Sequence, residues 1–153
     1  INEGTLEIKG TVSDKRGIIY LNSGSVLNNQ RGGLLKLSGY GKILNDSGTI
    51  NNQEGGVMRL LGSDITKWGN TEIEIRNGNT LNNYGDIYAV NNYTVNNNTY
   101  SNFVLSSGSS IVHHSPATGL ITPVITQYNL LLPIPNDLLK DYSKEIINFL
   151  KKE

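Results

Sequence analysis

The 153-residue chain contains no cysteine, one methionine, one tryptophan and four prolines, and its net charge is zero. Without cysteine there can be no disulfide framework, no thiolate metal site and no cysteine nucleophile. The zero net charge argues against a nucleic-acid groove or a patch that binds anionic membranes. No apolar run reaches the ~18 residues of a membrane-spanning helix, so we expect no membrane insertion.

Asparagine and glycine are abundant: 21 Asn and 17 Gly make up about a quarter of the chain. Both are poor helix formers and favour turns, which disfavours long helices. All glycines lie at or before Gly119, whereas all prolines lie at or after Pro116. This change of composition predicts a repeat domain of short strands at 1–119, an extended Pro-containing arm at 120–136 and a helix at 137–153. The first residue is Ile1 rather than Met, which is typical of a processed or excised piece of a longer protein.

A degenerate repeat of roughly 14–16 residues runs through the first domain. Clear copies begin with TINN at 49–52, TLNN at 80–83 and TVNN at 94–97. Each copy holds a short strand, a turn and a second strand. A single unit cannot bury its apolar residues alone, whereas stacked units form a continuous core. We therefore predict an all-β fold, a single-stranded parallel β-helix of about six to seven short coils.

Strand alternation divides the second strand of each unit into inward and outward positions. The predicted inward pairs are Leu6 and Ile8, Ile19 and Leu21, Leu35 and Leu37, Met58 and Leu60, Ile73 and Ile75, Tyr88 and Val90, and Phe103 and Leu105. The residue between each pair should point outward, which would place Arg59 between Lys36 and Glu74. Asn at the same position of successive coils can form a ladder of amide hydrogen bonds.

The TINN, TLNN and TVNN units, each followed by a Gly-rich or polar turn, resemble the repeats of parallel β-helix proteins of the filamentous-haemagglutinin and adhesin type. Similar Asn-rich repeats occur in surface and virion proteins. The resemblance covers roughly residues 1–110. It implies a right-handed coil that is extracellular, on a cell surface or on a virion, and that serves as a stalk or adhesive rod.

The C-terminal segment combines an apolar arm with an amphipathic helix. Asn136 or Asp137 can cap the helix at its N-terminus, and Lys151 and Lys152 suit its C-terminal end. The candidate assembly or capping residues are Leu130, Leu131, Leu132, Leu139, Tyr142, Ile146 and Phe149. We expect these residues either to cover an open end or flank of the coil, or to pack against copies of the chain or a neighbouring subunit.

Little in the sequence points to catalysis. His113 and His114 are adjacent, so in a strand they would face opposite sides and could not easily share a metal ion. The acidic residues are scattered over different units, without a pair at the spacing of a glycosidase. We predict no catalytic residue, no cofactor and no metal site. Tyr20 is the best outward candidate for stacking on a sugar.

The sequence therefore favours a non-enzymatic structural domain of an extracellular filament, surface adhesin or virion appendage. In this interpretation stacked coils form a stiff rod, and the C-terminal arm and helix join it to its own copies or to a neighbouring subunit. Nucleic acid is not an expected partner, and surface glycans are a possible one. The alternative is a carbohydrate-binding or carbohydrate-cleaving tailspike-like β-helix module.

Overall fold

The computed structural model describes residues 1–60, 70–91, 93–95, 98–117, 119–121, 124–126 and 129–131. The regular elements that lie within these ranges, apart from one 3₁₀ residue at Asn70, are β-strands of two to six residues. The strands are β1 (Thr5–Gly10), β2 (Ile18–Leu21), β3 (Val26–Asn29), β4 (Leu34–Gly39), β5 (Lys42–Asn45), β6 (Thr49–Asn52), β7 (Val57–Arg59), β8 (Glu72–Ile75), β9 (Thr80–Asn83), β10 (Asp86–Tyr88), β11 (Tyr93–Val95), β12 (Asn98–Tyr100), β13 (Phe103–Leu105), β14 (Ser110–His113), β15 (Leu120–Ile121), β16 (Val124–Thr126) and β17 (Asn129–Leu131).

Three parallel sheets contain thirteen of these strands. Sheet 1 has the order β1-β4-β7-β10-β15, sheet 2 the order β13-β8-β5-β2 and sheet 3 the order β14-β9-β6-β3. Each strand from β1 to β7 pairs in parallel with the strand three further along the chain. The chain therefore visits the three sheets in turn and returns to the first one rung further on. This confirms the prediction of an all-β, parallel β-helix-like fold.

The coils are larger and fewer than the repeat suggested. A coil holds one strand of each sheet, so the described residues form four such coils and the first strand of a fifth. Thr5 lies beside Leu34, and Leu34 lies beside Val57. A coil thus takes up more chain than one repeat unit. The predicted count of six to seven coils is wrong because a two-strand unit such as 49–62 fills only sheets 3 and 1, and a further strand in sheet 2 completes the coil.

The interior is a stack of aliphatic columns. In sheet 1, Leu35 lies beside Met58, which lies beside Ile87. In sheet 2, Ile43 lies beside Ile73. All five side chains are fully buried. Burial of an aliphatic side chain contributes about 1.5–3 kcal/mol, so these columns stabilise the stack of coils.

Most of the predicted inward positions are correct, with exceptions in the fourth coil. There Ile87 and Ala89 are fully buried, whereas Tyr88 lies in the neighbouring column beside Arg59. Val90 is fully buried as predicted, but Ile87 rather than Tyr88 is the inward residue of β10. Leu105 is 41% exposed, because β13 is the edge strand of sheet 2 and no described strand lies beyond it.

The predicted surroundings of Arg59 are half right. Lys36 lies beside Arg59 in sheet 1, as expected. Glu74, however, belongs to β8 in sheet 2, where it lies beside Leu44. The reason is that the strand containing Glu74 belongs to sheet 2, whereas the strands containing Lys36 and Arg59 belong to sheet 1.

Tight turns join sheet 2 to sheet 3, and in the first, third and fourth coils these turns contain a glycine at positive φ. Gly24, Gly78 and Gly108 have φ angles of 80°, 73° and 80°, which glycine adopts without steric cost. Asn77, with a φ of 56°, is the one non-glycine residue of the described ranges with positive φ. Asn tolerates this region better than other side chains. Asn and Gly therefore form tight turns, as their abundance predicted.

The chain beyond Gly119 is described only in part. β15 adds a fifth strand to sheet 1, with Leu120 beside Ile87. β16 and β17 form an antiparallel hairpin, as do β11 and β12 within the fourth coil. The predicted helix at 137–153 lies outside the described residues, and the arm and helix stay predictions.

Candidate functional site

Two columns of asparagine run through sheet 3. The sheet pairs β3 with β6 and β6 with β9, so the Asn-Asn ends of successive strands lie beside one another. The outer column contains Asn28, Asn51 and Asn82, and the inner column contains Asn29, Asn52 and Asn83. Because neighbouring residues of a strand point to opposite faces, each Asn-Asn pair supplies one residue to each column.

The inner column is a continuous ladder of amide hydrogen bonds. Asn2 Nδ2 donates to Asn29 Oδ1, and Asn29 Nδ2 donates to Asn52 Oδ1, both over 2.8 Å. Asn52 Nδ2 donates to Asn83 Oδ1, also over 2.8 Å. Asn29, Asn52 and Asn83 are at most 1% exposed. Their burial is tolerable because each amide has partners on both sides.

The inner ladder also holds the turn that leads from sheet 3 back to sheet 1. Asn29 Nδ2 donates to the carbonyls of Gly33 and Val57 over 3.2 and 3.0 Å. Asn52 makes the equivalent bond to the Gly56 carbonyl over 3.2 Å. A Cβ at Gly56 would lie 2.8 Å from Asn52 Oδ1 and 2.7 Å from the Asn29 carbonyl oxygen. Glycine is therefore required where the turn backs onto the ladder.

The outer column forms a second ladder, in which each amide donates to the preceding coil rather than to the following one. Asn82 Nδ2 donates to Asn51 Oδ1 over 3.1 Å, and Asn51 Nδ2 donates to Asn28 Oδ1 over 2.8 Å. Its amides are half-buried. The predicted Asn ladder is thus present twice, once inside the coil and once on its surface.

Two histidines end the two ladders at the fourth coil. His113 lies beside Asn83 in sheet 3, and its Nδ1 is 3.0 Å from Asn83 Nδ2. An amide nitrogen can only donate, so Nδ1 accepts and the neutral ring carries its proton on Nε2. Partial burial, with a smaller contribution from the neighbouring His114, holds the pKa of His113 below its ordinary value.

His114 ends the outer ladder as a hydrogen-bond donor, whereas His113 ends the inner ladder as an acceptor. Its Nε2 lies 3.2 Å from Asn82 Oδ1, which can only accept, so Nε2 donates. The ring stacks on Tyr84, with 4.3 Å between ring centroids. The backbone N–H of His114 donates to the Asn83 carbonyl over 2.7 Å.

Sequence reasoning missed this role of the histidines. It correctly separated the two rings on the basis of alternation, but it assigned neither ring a partner. The signal is an alignment of SIVHH at 110–114 with TLNNY at 80–84, which places His113 at the position of Asn83 and His114 at that of Tyr84. The structure has the same register, with Ser110 beside Thr80.

The outer face of sheet 2 carries a network of charges instead of amides. Lys42 Nζ lies 2.7 Å from Glu72 Oε1 and 2.6 Å from Glu74 Oε2. Arg16 approaches Glu72 to 3.5 Å, and Arg76 donates to Glu74. Glu72 and Glu74, which the sequence reading treated as scattered acids, thus share one lysine.

The pKa shifts in this network favour the charged forms. Partial burial acts to raise the pKa of Glu74, but hydrogen bonds from Lys42 and Arg76 outweigh it and lower that pKa. Burial likewise acts to lower the pKa of Lys42, and the hydrogen bonds to Glu72 and Glu74 outweigh it and raise that pKa. A general acid needs a raised carboxyl pKa, so Glu74 is suited to linking coils rather than to proton transfer.

The structure describes little of the predicted assembly residues. Leu130 and Leu131 belong to β17, whereas Leu132, Leu139, Tyr142, Ile146 and Phe149 lie outside the described residues. Tyr20, the predicted sugar-stacking residue, points outward from sheet 2 and is 60% exposed.

Comparisons with protein-family models, curated proteins and solved structures find no match for this chain. In the described part of the chain, no helix is long and apolar enough to cross a membrane. Within the same residues, no three His, Asp or Glu side chains cluster in a way that could hold a metal ion.

Proposed function

We propose that this chain is a non-enzymatic structural domain: a short, right-handed, single-stranded β-helix of an extracellular filament, surface adhesin or virion appendage. It acts as a stiff rod, and its C-terminal arm and helix join it to its own copies or to a neighbouring structural subunit. The observation that carries the proposal is the pair of Asn ladders that continue from coil to coil in sheet 3.

The ladders support a mechanical role because they tie each coil to the next. A slip of β6 by one residue would move Asn52 out of the inner column and break its bonds to Asn29 and Asn83. The same slip would replace the buried Ile50 in the core with Thr49 or Asn51, depending on its direction. Side-chain bonds thus reinforce the backbone pairing and fix the register, as a rod under load requires.

Pairs of charged side chains on the surface also link neighbouring coils. Glu7 pairs with Lys36 of the next coil over 3.8 Å, and Arg31 pairs with Glu54 over 3.2 Å. The Lys42 network links the second coil to the third. Because these charged side chains pair with one another across coils, they support a role in linking coils.

The joining function is assigned to the C-terminal stripe of Leu139, Tyr142, Ile146 and Phe149, which extends the apolar arm at Leu130–Leu132. The test is the mass of the full chain in solution, measured by analytical ultracentrifugation over a range of concentrations. We expect the unsubstituted chain to form oligomers. The I146D substitution should dissociate them, because a carboxylate in an apolar contact is costly. K144D, off the predicted stripe, is the matched control. A chain that stays monomeric throughout would overturn joining to its own copies.

One observation favours a second function, the binding of surface glycans. Tyr20 is 60% exposed and lies beside Leu44, which lies beside Glu74 of the charged network. An exposed ring on the same sheet face as charged groups can stack on a sugar while the charged groups bond the sugar's hydroxyls. Soluble oligosaccharides that shift the NMR signals of the Tyr20 ring, and lose binding in Y20A, would support it. Unchanged signals would exclude it for those sugars.

A further inference from the structure

The inner ladder ends on a side chain that can change its hydrogen-bonding character. Asn83 is fully buried, and its Oδ1 accepts from Asn52 Nδ2 and the Gly85 N–H. The Nδ2 group of Asn83 has one acceptor in the described part of the chain, Nδ1 of His113. His113 itself is exposed, so protons from solvent reach its ring.

We propose that His113 is an acid-sensitive latch: its protonation breaks the last bond of the inner ladder and releases β14 from β9. The protonated ring carries hydrogens on both nitrogens. Nδ1 then faces the Asn83 amide as a second donor, and the buried Nδ2 group loses its acceptor. An unpaired buried donor is costly, so opening of the last coil becomes easier.

The described groups around His113 provide no negative charge to stabilise its protonated ring. Directly after its own strand the titratable neighbour is His114, and from the turn after β9 it is Tyr84, stacked on His114. Among the described residues no carboxylate pairs with either histidine. The lowered pKa of His113 is consistent with this environment. Because the open state binds the proton more readily, the latch weakens as the pH falls through the ordinary histidine pKa of about 6.5.

His114, the residue that follows β14, provides a control. Its Nε2 donates to Asn82 Oδ1, and Nε2 remains a donor when the ring is protonated. Acid therefore breaks the end of the inner ladder and spares the end of the outer one. The inference does not depend on the proposed structural role, since it concerns one hydrogen bond at the end of a ladder.

Backbone hydrogen exchange of the full chain tests the latch. Three N–H groups occupy equivalent positions in successive coils: Gln53 donates to Asn29, Tyr84 to Asn52 and His114 to Asn83. On acidification from about pH 7.5 to about pH 5, we expect the protection of His114, corrected for intrinsic exchange, to fall about tenfold relative to Gln53. In H113N, whose amide oxygen accepts at any pH, this relative loss should disappear, whereas H114N should retain it.

The unsubstituted chain gives a second, independent measurement. Nitrogen NMR of the imidazoles should find the Nε2–H tautomer of His113 at neutral pH, with titration of His113 accompanying the loss of protection at His114. Constant relative protection across the pH range would overturn the latch. Equal pH dependence in H113N would do so too, as would an Nδ1–H tautomer.

Discussion

Sheets 2 and 3 both link neighbouring coils through side chains, but they use different forces. In sheet 3 the links are neutral amides, and Asn52 of the inner ladder is fully buried. In sheet 2 the links are ion pairs on the outer face, centred on Lys42. The amide links should be insensitive to salt, whereas the charged links should weaken as salt screens them.

The difference explains why asparagine is repeated and charges are not. A carboxamide has a donor and an acceptor, so an identical residue in the next coil satisfies both, and the ladder can continue indefinitely. A column of identical charges would repel. The charged column therefore has to alternate, as it does from Lys42 to Glu72, and it leaves no repeating signal in the sequence.

The largest expected effect is that of N52L in the inner ladder. Leucine has the same branched shape but removes the bonds to Asn29, Asn83 and the turn at Gly56. Loss of paired buried groups should lower the free energy of unfolding by about 2–4 kcal/mol, measured by chemical denaturation.

The matched control is N51L, one residue away on the outer ladder. Asn51 is half-buried, and water can satisfy the partners it leaves behind. We expect a loss of about 1 kcal/mol. Equal costs for the two variants would mean that burial of the ladder is not what makes it stabilising.

The sequence alone predicted the amide links of sheet 3 but not the charged links of sheet 2. The TINN and TLNN units revealed the Asn ladder because identical residues recur where their bonds repeat. The number of coils could not be read in this way, since the sheet 2 strand of the second coil, Lys42–Asn45, does not carry the Thr-aliphatic-Asn-Asn pattern. The link from Lys42 to Glu72 spans 30 positions, and no local pattern announces such a pair.

K42M should have a smaller effect, and one that depends on solution conditions. Methionine keeps the aliphatic stem but leaves Glu72 and Glu74 to repel each other. We expect a loss of about 1 kcal/mol at low salt, shrinking at 1 M salt, where charges more than about 3 Å apart are screened. The N52L cost should not change with salt. Denaturation at both salt concentrations measures this contrast.

The same variant should change the response to acid. The bonds from Lys42 and Arg76 lower the pKa of Glu74 in the folded state, so the unfolded state binds protons more readily. The resulting stabilisation is present above the ordinary carboxyl pKa of 4.5 and is lost as the pH falls through the lowered folded value. K42M should therefore lose less stability in this range, and a parallel acid titration would contradict the network.

The smallest expected effect is that of N45L, an asparagine that belongs to no ladder. Asn45 is fully buried between Leu21 and Ile75. Its Oδ1 accepts from the Gly48 N–H over 2.8 Å, but its Nδ2 has no partner in the described structure. Leucine would remove one unsatisfied donor and leave another at Gly48, and these two costs of about 1–3 kcal/mol should offset each other. We expect unfolding free energies within about 1 kcal/mol of the unsubstituted chain. If N45L cost as much as N52L, filling a buried asparagine position would itself be destabilising, and the ladder bonds would no longer account for the cost at Asn52.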